Sequence, residues 1–166
     1  MIRGLKGRRE LSTARRLSRY CRTMDAIPDR RFGPAVNARH AVELFGDEVV
    51  VAWCEALLRG SARDDDPRYP DIAWLGGSIG WPGYWSRVWG ARGLLHIGPP
   101  AHPRVVLEAL NDESWRVREM ALKVIIGHEL DDPHGGVALL VDDPNERVRY
   151  QALRALGVPR ADRRAR

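Results

Sequence analysis

The chain has 166 residues, is 44% hydrophobic and 30% charged, and so has the balance of a globular domain large enough for a sizeable core. No apolar run approaches the ~20 residues that a membrane span needs. The net charge of +5 sits at the ends: residues 1–31 hold ten Arg/Lys against three acids, residues 158–166 four against one, and the body between them is acidic.

Two cysteines, Cys21 and Cys54, make neither a disulfide framework nor a zinc site. The basic N-terminus is followed by no apolar stretch of the kind a secretory signal carries. A reduced, cytoplasmic protein without a cofactor is expected.

In chain order, residues 1–31 read as a basic arm with a helix in it. Leu5, Leu11, Ala14, Leu17 and Cys21 fall at helical spacing, and Arg8, Arg9, Arg15, Arg16, Arg19 and Arg22 fill much of the remainder. Residues 32–159 then read as one helical domain and residues 160–166 as a basic tail. The domain opens with an αα-hairpin. Val36, His40, Ala41, Leu44 and Phe45 predict one apolar face, ended by Gly46. Asp47 starts a second helix with Val50, Trp53, Cys54, Leu57 and Leu58, ended by Gly60. Residues 60–84 are loop-like, with only a turn of helix expected over residues 71–75.

From residue 85 the chain repeats itself. Asn111-Asp112-Glu113-Ser114-Trp115-Arg116-Val117-Arg118 aligns with Asp142-Asp143-Pro144-Asn145-Glu146-Arg147-Val148-Arg149 at an offset of 31 residues. A degenerate earlier copy, Ala91 to Leu95, aligns with Ala121 to Ile125 at about 30. Val117, Ala121, Val124 and Ile125 form one apolar stripe, and Val148, Ala152, Ala155 and Leu156 form its copy. Asp143, Pro144 and Glu146 resemble a helix start, with Asp143 as N-cap, and Gly157 followed by Pro159 a stop. Short helices over residues 103–110 and 136–141 precede the two long ones. A hairpin this small cannot cover its own stripe, so neighbours must stack on it.

The motif D-x4-V-R-x2-A-L at residues 112–122 and 143–153 resembles the second helix of bacterial HEAT-like repeats. The resemblance implies an all-α fold, a short α-solenoid of stacked hairpins that serves as a binding scaffold. It also implies an aspartate–arginine ladder made by Asp112, Arg118, Asp143 and Arg149. That ladder is expected to stop at the repeat near Trp85, which lacks the aspartate.

Chemistry-bearing residues are sparse. His128-Glu129 resembles one His-Glu pair of the di-iron deoxyhypusine hydroxylases, which share the scaffold, but two irons need several such pairs. His128 is therefore expected in a loop after a helix-ending Gly127. His102-Pro103 and Pro133-His134 read as punctuation between repeats. Cys54 reads as a core thiol with an ordinary pKa. Gly76-Gly77-Ser78-Ile79-Gly80 lacks the lysine of a phosphate loop. Trp74, Trp81, Tyr84, Trp85 and Trp89 crowd into sixteen residues, either as a cap on one end of the stack or as a platform for a partner.

The sequence thus favours a non-enzymatic interaction module whose partner is another protein. The arginine-rich ends make nucleic acid the alternative, and a metal-dependent enzyme is a remoter one. Neither a membrane nor a small-molecule substrate is indicated.

Overall fold

The computed structural model describes residues 27–29 and 31–159, which form seven α-helices, three short 3-10 turns and no strand. The helices are α1 (Pro34–Phe45), α2 (Asp47–Arg59), α3 (Tyr84–Ile97), α4 (Pro103–Glu108), α5 (Trp115–His128), α6 (Gly136–Leu139) and α7 (Glu146–Ala155). The 3-10 turns are Ile72–Leu75, Ala109–Asn111 and Leu140–Asp142, and the last two extend α4 and α6. The basic arm, Cys21 and the tail from residue 160 onward lie outside the described residues.

Four long helices lie side by side in chain order: α2 packs on α3, α3 on α5, and α5 on α7. The short elements cover their flanks. α1 lies over α3 and the Ile72–Leu75 turn, α4 over α2 and α5, and α6 against α7. The core runs continuously along this row, from Val50, Trp53 and Leu57 through Leu94, Val106 and Val117 to Val148 and Ala152.

α1 and α2 are joined through Gly46 alone, whose φ of 93° suits glycine. Pro34 at the first position of α1 has no N–H to leave unpaired. α2 carries Asp47 and Glu48 in its first turn and Arg59 in its last, both favourable to the helix dipole. Gly60 closes α2 in the left-handed conformation, its N–H bonded to carbonyls of the last turn.

The repeat register is stricter than the sequence suggested. α3, α5 and α7 start at Tyr84, Trp115 and Glu146, each 31 residues after the last. The offset at the first copy is therefore 31 rather than about 30, and Gly90, not Ala91, is the counterpart of Ala121 and Ala152. That correction has a packing reason. A Cβ on Gly90 would stand 2.5 Å from the Cys54 carbonyl oxygen and 2.9 Å from Leu58 N, and one on Gly93 would collide with Cys54 Sγ. Glycines one turn apart let the backbone of α2 lie directly on α3, where α5 and α7 instead use alanine at the first of the two positions.

Two helix boundaries and the burial of one stripe differ from the expected ones. α5 runs through Gly127 to His128, and Glu129 takes the left-handed cap position at φ 51°. Gly127 is a packing residue, facing Leu95 Cδ1. α7 is capped by Asn145, whose side chain accepts the N–H of Arg147 at 3.0 Å, because the Asp143 carboxylate is occupied elsewhere. The stripe of α7 is only partly covered: Val148 and Ala152 are buried, Ala155 is half-buried and Leu156 is exposed. No further helix among the described residues packs on its outer side.

Candidate interaction surface

The turns before α5 and α7 are each held by an aspartate and an arginine. Asp112 Oδ1 accepts the N–H of Ser114 at 2.8 Å, and Asp143 Oδ1 accepts that of Asn145 at 2.8 Å. Arg118 donates through Nη1 to the carbonyls of Asp112 and Glu113, inside its own repeat. Its Nε and Nη2 reach forward to both oxygens of Asp143, at 2.7 and 3.1 Å. One guanidinium therefore closes its own turn and clamps the next.

Arg149 reproduces the first half of this arrangement, bonding the carbonyls of Asp143 and Pro144, but meets no carboxylate among the described residues. At the other end the ladder does not stop where it was expected to. Arg87 pairs with Asp112 at 2.6 Å and with Glu113 at 3.1 Å. The missing aspartate belongs to the turn before α3, whereas the bond between repeats needs only the arginine of one and the aspartate of the next. Arg87, Arg118 and Arg149 are 31 residues apart, so the repeat spacing itself carries the signal for this arginine.

Burial alone would raise the pKa of the Asp143 carboxyl. The hydrogen bonds from Arg118 and from the Asn145 N–H, with the charges of Arg118 and Arg149, outweigh it and hold the group below the usual carboxylate range.

The tryptophans divide. Trp74 and Trp89 are buried, with Trp74 against Phe45 at 5.8 Å. Trp81 is 55% exposed and lies edge-on to half-buried Trp85 at 5.3 Å. From there a row of rings and guanidinium groups crosses the starts of three helices. Arg116 stands over Trp85 at 5.5 Å and Trp115 at 4.4 Å, and Arg147 stands over Trp115 at 5.5 Å. Arg147 also reaches the buried carboxylate of Glu119, which Lys123 shares. Trp115, Arg116 and Arg147 were not singled out in the sequence; positions 85, 116 and 147 recur at the repeat spacing.

The other candidates are structural in this setting. His128 Nε2 lies 2.8 Å from the Leu94 carbonyl and ties α5 to α3, so it is a helix-terminal residue rather than a loop one. Glu55 is buried in α2 and accepts the backbone N–H of His102 at 2.7 Å, with the imidazole Nδ1 also at 2.7 Å. The punctuating histidine thereby fixes the start of α4. Cys54 departs from the ordinary pKa expected of it: burial, with the nearby charge of Glu55, pushes the thiol well up. Gly76 closes the Ile72–Leu75 turn, and Gly77 lies so close to Ile72 and Trp89 that no side chain fits there. The glycine run is thus packed backbone. Among the described residues, no three His, Cys, Asp or Glu side chains are placed to share a metal ion. Arg8, Arg9, Arg15, Arg16, Arg19 and Arg22 fall outside the described residues.

A family model for the HEAT repeat matches residues 104–126, which are most of α4, its following turn and nearly all of α5. No curated protein and no solved structure matches the chain significantly. No helix among the described residues is long and apolar enough to cross a membrane.

Proposed function

We propose that this chain is a short helical-repeat solenoid that binds another protein without transforming it, and that it works in the cytoplasm. The matched HEAT repeat supports the scaffold, since such repeats commonly mediate protein interactions. The observation that carries the reading is the row Trp81, Trp85, Arg116, Trp115 and Arg147, linked by ring contacts across three successive long helices. Tryptophan and arginine are the residues most enriched at the energetic centres of protein interfaces. Packing does not require a tryptophan as exposed as Trp81 beside an exposed Ile79.

The test is affinity capture of partners by the full chain under nuclease treatment, repeated with Trp81→Ala/Arg116→Ala. A partner retained by the parent chain and lost by the variant, with helical content unchanged, supports the reading. Capture that depends on intact nucleic acid, or that ignores the double substitution, overturns it.

A further inference from the structure

Positions 92, 123 and 154 are another set at the repeat spacing, occupied by Arg92, Lys123 and Arg154. They lie seven residues, or about 10 Å along a helix, beyond the aromatic row. The first two border a cleft of about 430 Å³ between α1, α3 and α5. Val36, Leu95 and Met120 supply apolar surface, Arg92, His96 and Lys123 supply nitrogen, and no residue lining the cleft is acidic.

The electrostatics there are unbalanced. Arg92 is half-buried, and burial pulls its pKa down, yet its guanidinium has no acceptor among the described residues. Lys123 is held by Glu119 at 3.0 Å, but that carboxylate already serves Arg147. Arg39 on α1 adds a further exposed cation near His96. The His96 imidazole is held below its ordinary pKa by burial first, then by the charges of Arg92 and Arg39. A guanidinium taken partly out of water without an acceptor is costly, and an anion entering the cleft removes that cost.

We propose that this cleft is a docking pocket for a carboxylate side chain flanked by an apolar residue, presented by a segment of the partner protein. The proposal rests on the protein-binding reading and extends it to the chemistry of the partner. Charge complementarity selects the occupant. The arm is net positive over residues 1–31, which the cleft's cations repel, and because it carries one Glu10-Leu11 pair, occupancy by the chain itself is an outcome that absence of probe binding would report. Nucleic acid fits it less well, because the one ring in its lining is the His96 imidazole and no Phe, Tyr or Trp is there to stack a base. At the start of α1, Pro34 has no N–H and those of Val36 and Asn37 bond the Gly33 carbonyl.

The probe is N-acetyl-glutamyl-leucine methylamide, titrated into the full chain and followed by NMR. The controls are the glutaminyl analogue, inorganic phosphate and an eight-residue oligothymidylate. The glutamyl probe should shift resonances of Arg92, His96 and Met120 with at least tenfold higher affinity than the glutaminyl one. Saturation should raise the His96 pKa, so binding should tighten as pH falls through the imidazole range. The charged groups acting on that ring are Arg92 on its own helix and Arg39 on α1, and Lys123, paired with Glu119, lines the same cleft from α5. Arg92→Met keeps the apolar stem and should abolish both effects without unfolding the protein. Equal binding of the two dipeptides, tighter binding of phosphate or oligothymidylate, or no binding at all each overturns the proposal. Failure here with partner capture intact leaves the interaction reading standing. Binding here without any captured partner would sink that reading and leave the pocket.

Discussion

Replacing Arg118 by alanine tests the ladder most directly. The side chain makes two bonds to the Asp143 carboxylate and two to the carbonyls of Asp112 and Glu113. The Asp143 side chain is only 3% exposed, so the substitution strands a buried charge with little beyond the Asn145 N–H to hold it. Breaking a buried pair in this way costs about 3–5 kcal/mol, a large share of the ~5–15 that a domain has. Arg149→Ala removes only two carbonyl bonds from an arginine with no carboxylate to strand, and should cost about 1–2 kcal/mol. Arg104→Ala, from an exposed i,i+4 pair with Glu108, should cost under about 0.5 kcal/mol. Urea unfolding followed by circular dichroism would rank the three. If Arg118→Ala is no worse than Arg104→Ala, the clamp between repeats contributes nothing and the argument fails.

The pH dependence has a fixed sign: the lowered Asp143 pKa gives a contribution fully present above about pH 4, and it is lost as pH falls through the depressed folded value. The stability gap between parent and Arg118→Ala should therefore narrow on acidification, and a constant gap would contradict it. Gly90→Ala should destabilise by about 1–3 kcal/mol, because its Cβ meets backbone that cannot swing aside. Gly127→Ala faces only the tip of Leu95 and recovers up to about 1 kcal/mol of helix propensity, so its melting point should match or exceed the parent's. Val117→Asp, at a site with no exposure, should unfold the repeats, and a melting point near the parent's would mean that the stripe does not face the core.

The second half of the chain was legible because packing there is done by side chains that recur. Val117 and Val148, or Ala121 and Ala152, are the same residues in the same seam, and a 31-residue offset displays them. The copy at α3 was misaligned because its seam is made by an absence: Gly90 and Gly93 have no side chain to match, and the neighbouring Ala91 offered a false partner. The Asp143 cap was misplaced for a different reason. A local start signal cannot reveal that Arg118, 25 positions earlier, has already claimed the carboxylate. His128 likewise looked like a loop residue because a glycine before it resembled a stop, and only the Leu94 carbonyl explains its place.

The repeat register also separates what the fold requires from what it does not. At positions 90, 91 and 94 of α3, and at their counterparts in α5, every residue is small or aliphatic, because these sites are buried between helices. At positions 85, 116 and 147 the residues are Trp, Arg and Arg, and at 92, 123 and 154 they are Arg, Lys and Arg. The guanidinium of Arg118 has acceptors that repay its desolvation; that of Arg92, half-buried on the same scaffold, has none among the described residues. Where a sequence breaks a local rule without a compensating contact inside the fold, the compensation is to be sought outside it. That is the physical case for placing the proposed partner along the face from Trp85 to His96, with its carboxylate in the cleft.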